Sequence, residues 1–259
     1  MVAEGEVPRR ETKERDRGIS NRPIFEKIDL MNYDLSLPYA FLPKLVKNNN
    51  REWFAKHKPE YLAAHAEIIT FADALLAEIQ THDHIETPTG KKSLYRIYRD
   101  VRFSKDKTPY SDHFSGGFRR ATKYLRGGYY FHIQPGNSYV SGGFWGPNPP
   151  DLLHIRRQIA QDPEYMREVI SSPIFKKTFG TLLGTQLKTS PKGFSIDDPA
   201  IDLLRYKQFI VRHHFSDKDV LGKDFHKKMN NAFLALRPFL DYMTDILITD
   251  LNGSDREDL

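Results

Sequence analysis

The chain has 259 residues, no cysteine, 39% apolar and 12% aromatic residues, and a net charge of +5. The lack of cysteine excludes a disulfide framework, a thiolate metal site and a cysteine nucleophile together. No apolar run approaches a membrane span and the N-terminus is charged, not signal-like, so a soluble, cytoplasmic, globular protein is expected, with no membrane partner.

Residues 1–22 alternate five acids with six bases and carry little that is apolar, which predicts a disordered charged tail over 1–36. Leu37 and Pro38 open a helix with Phe41, Leu42, Leu45 and Val46 at helical spacing. The triple amide Asn48, Asn49, Asn50 breaks it, and Asn50 is placed to cap the next helix. That long amphipathic helix runs from Trp53 to Ile79, with Pro59 marking a break or a fresh start.

From residue 93 the period changes to two, and Arg96 to Phe103 reads as a strand. Further strands are predicted at 113–121, 128–134 and 138–145, separated by glycine- and proline-bearing turns as in an antiparallel meander. Helical patterns return over about 150–160, 162–170 and 173–180. Residues 207–215 form another strand, and Asp217 caps a last long helix to about 248. The pattern predicts a single α+β domain over 37–248, its central, mainly antiparallel sheet covered by long N- and C-terminal helices, with a short acidic tail over 249–259.

The chemistry concentrates between Arg96 and Tyr110. Arg96, Arg99, Arg102, Lys105 and Lys107 stand there with Asp100, Asp106 and Tyr110, and residues 91–126 as a whole carry a net charge of +8. Guanidinium groups at this density bind an anion or build an ion-pair network. In the strand reading Arg96, Asp100 and Arg102 share one face, while Arg99 stands on the other among Tyr95, Ile97, Val101 and Phe103 and needs a partner, Asp100 or Asp106. Arg96, Arg102 and Lys107 are expected to line one accessible pocket.

Asn50, Arg51 and His57 form a second constellation at a helix start, where backbone N–H groups favour anions. A third is the aromatic and glycine-rich sheet: His132 shares a face with Tyr130 and Gln134, and Gly142 and Gly143 precede Trp145. These aromatics read first as core and, as the alternative, as a ligand-stacking wall. His82 with His84, and His213 with His214, are the only histidine clusters, the first in a loop with no obvious third ligand, and no metal site and no cofactor are expected.

The run Arg96, Arg99, Asp100, Arg102, Phe103, Asp106, Lys107, Tyr110 resembles the signature R-x-x-R-D-x-R-F-x-x-[DN]-K-x-x-Y of a bacterial and fungal family catalogued as domain of unknown function 2461. The Asn48–Phe54 block and the Pro191–Phe194 segment resemble it too. The resemblance spans about 37–245 and implies a fold unit and a motif, without an activity. The expected function is therefore binding of a small phosphorylated or otherwise anionic ligand at the arginine-rich motif. One alternative is an enzyme acting on such a ligand with Asp100 or His132 as acid–base. Another is an interaction module whose arginines are purely structural. Nucleic acid is the less favoured partner, because the segment mixes acids with its bases and shows no recognisable nucleic-acid fold.

Overall fold

The computed structural model describes residues 32–121 and 124–256, so residues 1–31 of the tail predicted over 1–36 lie outside the described residues. Ahead of the expected domain start, Leu35 is already in the core and the Tyr33 hydroxyl meets His226 Nδ1 at 2.8 Å.

Helix α1 (Ser36–Lys47) ends at the triple amide, as expected. The Asn50 side chain accepts the Trp53 N–H (2.9 Å) and starts α2 (Arg51–Lys56). Pro59 then stands in the first turn of a separate helix, α3 (Lys58–Ile79), where its missing N–H costs nothing. A single turn, α4 (Gly90–Ser93), comes next.

The sheet is a four-stranded antiparallel meander of β1 (Phe114–Arg119), β2 (Gly128–Ile133), β3 (Ser138–Phe144) and β4 (Phe209–Phe215), paired in that order. Between β3 and β4 lie α5 (Pro149–Gln161), α6 (Glu164–Ser171), α7 (Pro173–Phe179) and α8 (Ile201–Leu204). The predicted last helix is two helices, α9 (Asp217–Val220) and α10 (Phe225–Ile248). Ser216, not Asp217, caps α9, through a capping box with Asp219. Asp217 instead accepts from the Tyr39 hydroxyl (3.1 Å) and the Gly136 N–H (2.8 Å). After α10 the chain folds back, Arg256 N–H donating to the Ile248 carbonyl at 2.8 Å. No helix of the described residues is long and apolar enough to cross a membrane.

Strand alternation sorts the sheet into two faces. Phe118, Phe131, Val140 and Val211 point into a core built from the α3 stripe Ile68, Phe71, Ala72, Leu75, Ile79 and the α10 stripe Met229, Phe233, Leu236, Leu240. Gly142 lets α10 approach: a Cβ there would stand 2.2 Å from Leu236 Cδ2. The opposite face carries Ser115 and Gly117 from β1, Tyr130 and His132 from β2, Tyr139, Ser141 and Gly143 from β3, and Arg212 and His214 from β4.

The strand expected across Arg96–Phe103 is absent as such. Over residues 93–110 the pairing is reduced to the isolated bridges Leu94–Gly116 and Tyr98–Tyr110. Tyr95 N–H donates to Ser115 O (2.9 Å) at the β1 edge, after which the chain loops out and returns, joined by Arg99 N–H to Pro109 O (2.9 Å) and Ser111 N–H to Ile97 O (2.8 Å). The acids cause the departure. Asp100 accepts the Arg102 N–H (3.2 Å) and Asp106 the Thr108 N–H (2.9 Å), local turn bonds that replace a ladder. The two expected faces dissolve with it: Ile97 is buried, whereas Tyr95 and Phe103 are exposed.

Candidate functional site

The motif's charges are largely turned on one another. Arg99 is half-buried and holds Asp106 at 2.5 Å as well as the Thr108 hydroxyl and carbonyl. Arg102 makes a bidentate pair with Asp100 (2.7 and 3.0 Å) in open solvent. Lys107 Nζ donates to the Val101 carbonyl at 3.0 Å. The Thr108 backbone N–H, with Arg99 behind it, holds the Asp106 carboxyl down to about 2. Tyr110 is buried, stacked on Phe54 (centroids 4.0 Å apart), and its backbone is clipped at both ends by Asn49 (3.1 and 2.9 Å). Arg96 and Lys105 are exposed, with no ion-pair partner among the described residues.

A cavity of about 430 Å³ opens beneath the loop, lined by Asn49, Arg99, Asp106, Thr108, Tyr110 and His113 among others. Arg96, Arg102 and Lys107, expected to share a pocket, do not line it. Asn50 is spent on its cap, Arg51 is exposed, and His57 stacks on Trp53 at 4.0 Å with Nδ1 bonded to the Trp53 carbonyl (2.9 Å).

Arg99 and Arg102 therefore differ in kind. Arg99→Ala removes the partner of Asp106 and Thr108 and should lower the denaturation midpoint. Arg102→Ala removes an exposed, solvent-screened pair, which adds little to stability, and should leave the midpoint nearly unchanged. Equal midpoints for the two variants would contradict this division of roles.

His132 and Asp100, the sequence's acid–base candidates, both have their polar atoms engaged. Gln134 donates to Asp112 Oδ2 (3.0 Å) and so presents its carbonyl oxygen, which takes the His132 Nε2–H at 3.0 Å. His132 Nδ1 is left to accept from the Tyr130 hydroxyl (3.2 Å). Burial pushes this imidazole down to about 4, so it stays neutral. Asp100 is held below the usual carboxylate range by the Arg102 side chain. His113, which the sequence did not single out, stacks on His132 (4.0 Å) and bonds Asp112 through Nδ1 (2.8 Å).

The larger cavity, about 550 Å³, lies elsewhere on the same sheet face. Gly117, Gly128 and Gly143, on three adjacent strands, lower its floor on either side of Tyr130. Tyr95 leans over Gly117, where a Cβ would stand 3.0 Å from its hydroxyl. Tyr130 stands between Tyr95 (6.2 Å) and Trp145, which meets it edge-on at 6.5 Å. Tyr95 is 61% and Trp145 46% exposed. Lys92 and Arg119 supply positive charge at the rim, Arg119 shared with Glu86 (3.0 Å).

Of the residues expected at a site, Trp145 lines this cleft. Sequence reasoning missed Tyr95, Lys92 and Arg119 as parts of it. The signal available was glycine at Gly117, Gly128 and Gly143 on strands otherwise rich in aromatics. Arg120, counted with the basic segment, is no part of any surface: it is wholly buried and ion-paired to Asp83 (2.8 Å) and Asp241. Among the described residues no group of three or more His, Asp or Glu side chains could hold a metal ion.

No curated protein and no solved structure matches the chain significantly. One family model does, over residues 38–242, and that range takes in the Arg96–Tyr110 loop, the whole sheet and most of α10. The chain thus belongs to the family described as Conserved hypothetical protein (DUF2461).

Proposed function

We propose that this protein binds an anionic ligand carrying a planar ring, in chemical class a nucleotide, in the glycine-floored cleft of the sheet's open face. The observation that carries the reading is the pair of exposed rings, Tyr95 and Trp145, flanking Tyr130 above the strand glycines. A ring can enter there and stack, and Lys92 and Arg119 stand at the rim where a phosphate would lie. The motif supports this indirectly: Arg99 meets Asp106 and Arg102 meets Asp100, so their part is to shape the loop that comes after Tyr95. Engagement of both His132 nitrogens and of Asp100 favours binding over acid–base catalysis by those residues.

Calorimetric titration with adenosine monophosphate, ribose 5-phosphate and inorganic phosphate tests it. The nucleotide should bind more tightly than either ring-free compound. Trp145→Ala should cost it roughly 1–3 kcal/mol, the worth of one aromatic–base stack, while Lys92→Ala should weaken nucleotide and phosphate alike. Equal binding of the three compounds, or nucleotide binding indifferent to Trp145→Ala, would overturn the reading.

A further inference from the structure

Six aromatic side chains are largely exposed on the described surface, Tyr95, Tyr98, Phe103, Tyr124, Trp145 and Tyr165, and five of these fall between residues 95 and 145. A single exposed aromatic means little. Five within residues 95–145, of which Tyr95 and Trp145 line the cleft, make a surface with a use. Phe103 is the extreme, 95% exposed. It sits on a loop held by its own charges: Arg99 to Asp106, Arg102 to Asp100, and Lys107 to the Val101 carbonyl. The loop is thus organised to present a ring to solvent, with the Arg102 guanidinium 5.9 Å from its centroid.

The charge along this segment is predominantly positive once the arginine pairs are removed. Asp100, Asp106 and Glu86 each face an arginine, whereas Lys91, Lys92, Arg96, Lys105 and Lys107 have no ion-pair partner among the described residues. Of the three acids that argue from sequence against a polyanion, Asp100 and Asp106 are each paired with an arginine, and Asp112 is bonded to His113 and Gln134. What remains outward is a series of rings interleaved with cations, the composition that binds unpaired bases and the phosphates between them.

We infer that the cleft is one end of a track for single-stranded nucleic acid, which continues from Trp145 and Tyr95 over Tyr98 to Phe103. This extends the nucleotide reading above and rests on it. One base enters the cleft, and the following bases stack on Tyr98 and Phe103 while Arg96 and Lys105 meet the backbone. A base-paired duplex offers no free ring faces to such a track. A bilayer is also a poorer fit, since Tyr95 and Trp145 wall a recess that a flat surface cannot fill.

Fluorescence anisotropy of a labelled twelve-nucleotide oligothymidylate with the full chain provides the test. Competitors are thymidine monophosphate, a duplex of the same length, and vesicles containing phosphatidylserine. The single strand should bind at least tenfold more tightly than the mononucleotide, with log affinity falling against log salt by about 0.7 per phosphate contacted. Phe103→Ala should weaken the oligonucleotide about tenfold, the worth of one base stack, and leave the mononucleotide unchanged. Trp145→Ala should weaken both.

A strand bound no better than the mononucleotide, or indifferent to Phe103→Ala, overturns the track while a Trp145-dependent mononucleotide keeps the cleft. Preference for the duplex or the vesicles over the single strand overturns it likewise. If neither nucleotide nor strand depends on Trp145, the cleft reading falls, and the track with it.

Discussion

Arg120→Met should be the most destabilising single change in the protein outside the aliphatic core, lowering stability by about 3–5 kcal/mol, the range for a buried ion pair that loses one partner. Arg120 is wholly buried where β1 ends. Its Nε meets Asp83 Oδ2 at 2.8 Å, Nη1 reaches the Arg126 carbonyl and the Thr244 hydroxyl (both 3.2 Å), and Nη2 pairs with Asp241. Arg237 completes the group, 2.8 Å from Asp241 and 3.6 Å from Asp83. Tyr129 donates to Asp83 at 2.6 Å, and burial, reinforced by that carboxylate, pushes its phenol well up, so the proton stays on. One guanidinium therefore joins the end of α3, β1, β2 and α10. Removing it leaves Asp83 fully enclosed, with Arg237 at 3.6 Å as its remaining cation. Replacing both members, Arg120→Met with Asp83→Asn, should cost less than the two single losses combined, because the orphaned charge is gone. Urea denaturation of the three variants checks this; strict additivity, or a loss from Arg120→Met of the size found at exposed pairs, would contradict it.

Gly90→Ala should be nearly as damaging and should also abolish ligand binding. Gly90 opens the α4 turn against α3, where a Cβ would stand 2.3 Å from the Asp73 backbone N and 2.7 Å from the Ala72 carbonyl carbon. Neither atom can move without breaking helix α3. The Gly90 N–H also donates to Asp73 Oδ1 at 2.5 Å, which fixes the segment in place. Overpacking of this kind costs about 1–3 kcal/mol, and more where backbone must shift. Its particular consequence is that Lys92 and Tyr95, two and five residues on, carry one wall of the cleft. Thermal midpoint and nucleotide affinity should fall together in Gly90→Ala. Gly136→Ala, whose Cβ would meet nothing within 4 Å, should leave affinity intact despite strain at its φ of +75°. A normal midpoint for Gly90→Ala would mean that the turn sits off α3.

The two substitutions also mark what a sequence can and cannot disclose. Local signals read well: the Asn50 cap, the restart at Pro59 and the order of the meander stem from capping chemistry, from proline's missing N–H and from two-residue alternation. The motif read poorly because alternation over 93–103 mimics a strand, whereas Asp100 and Asp106 bond to backbone N–H groups two residues on and turn the chain out of the sheet. Alternation also put Tyr95 and Phe103 with Ile97 on one apolar face, and only Ile97 is buried. Arg120 shows the other limit. Its partners Asp83 and Asp241 lie 37 and 121 residues away, so nothing local distinguishes it from Arg119, which points to solvent. The cleft is a property of register: Gly117, Gly128 and Gly143 become one floor only when the strands are paired.

The most direct measurement uses the protein's own reporter. The chain has two tryptophans, and Trp53→Phe leaves Trp145 as the single one. Titrating that variant with a purine nucleotide should quench Trp145 emission saturably, as a base stacks on the exposed indole, and ribose 5-phosphate at the same concentrations should leave the emission unchanged. Emission that stays constant up to millimolar nucleotide, or that the ring-free phosphate alters equally, would contradict the cleft as the binding site.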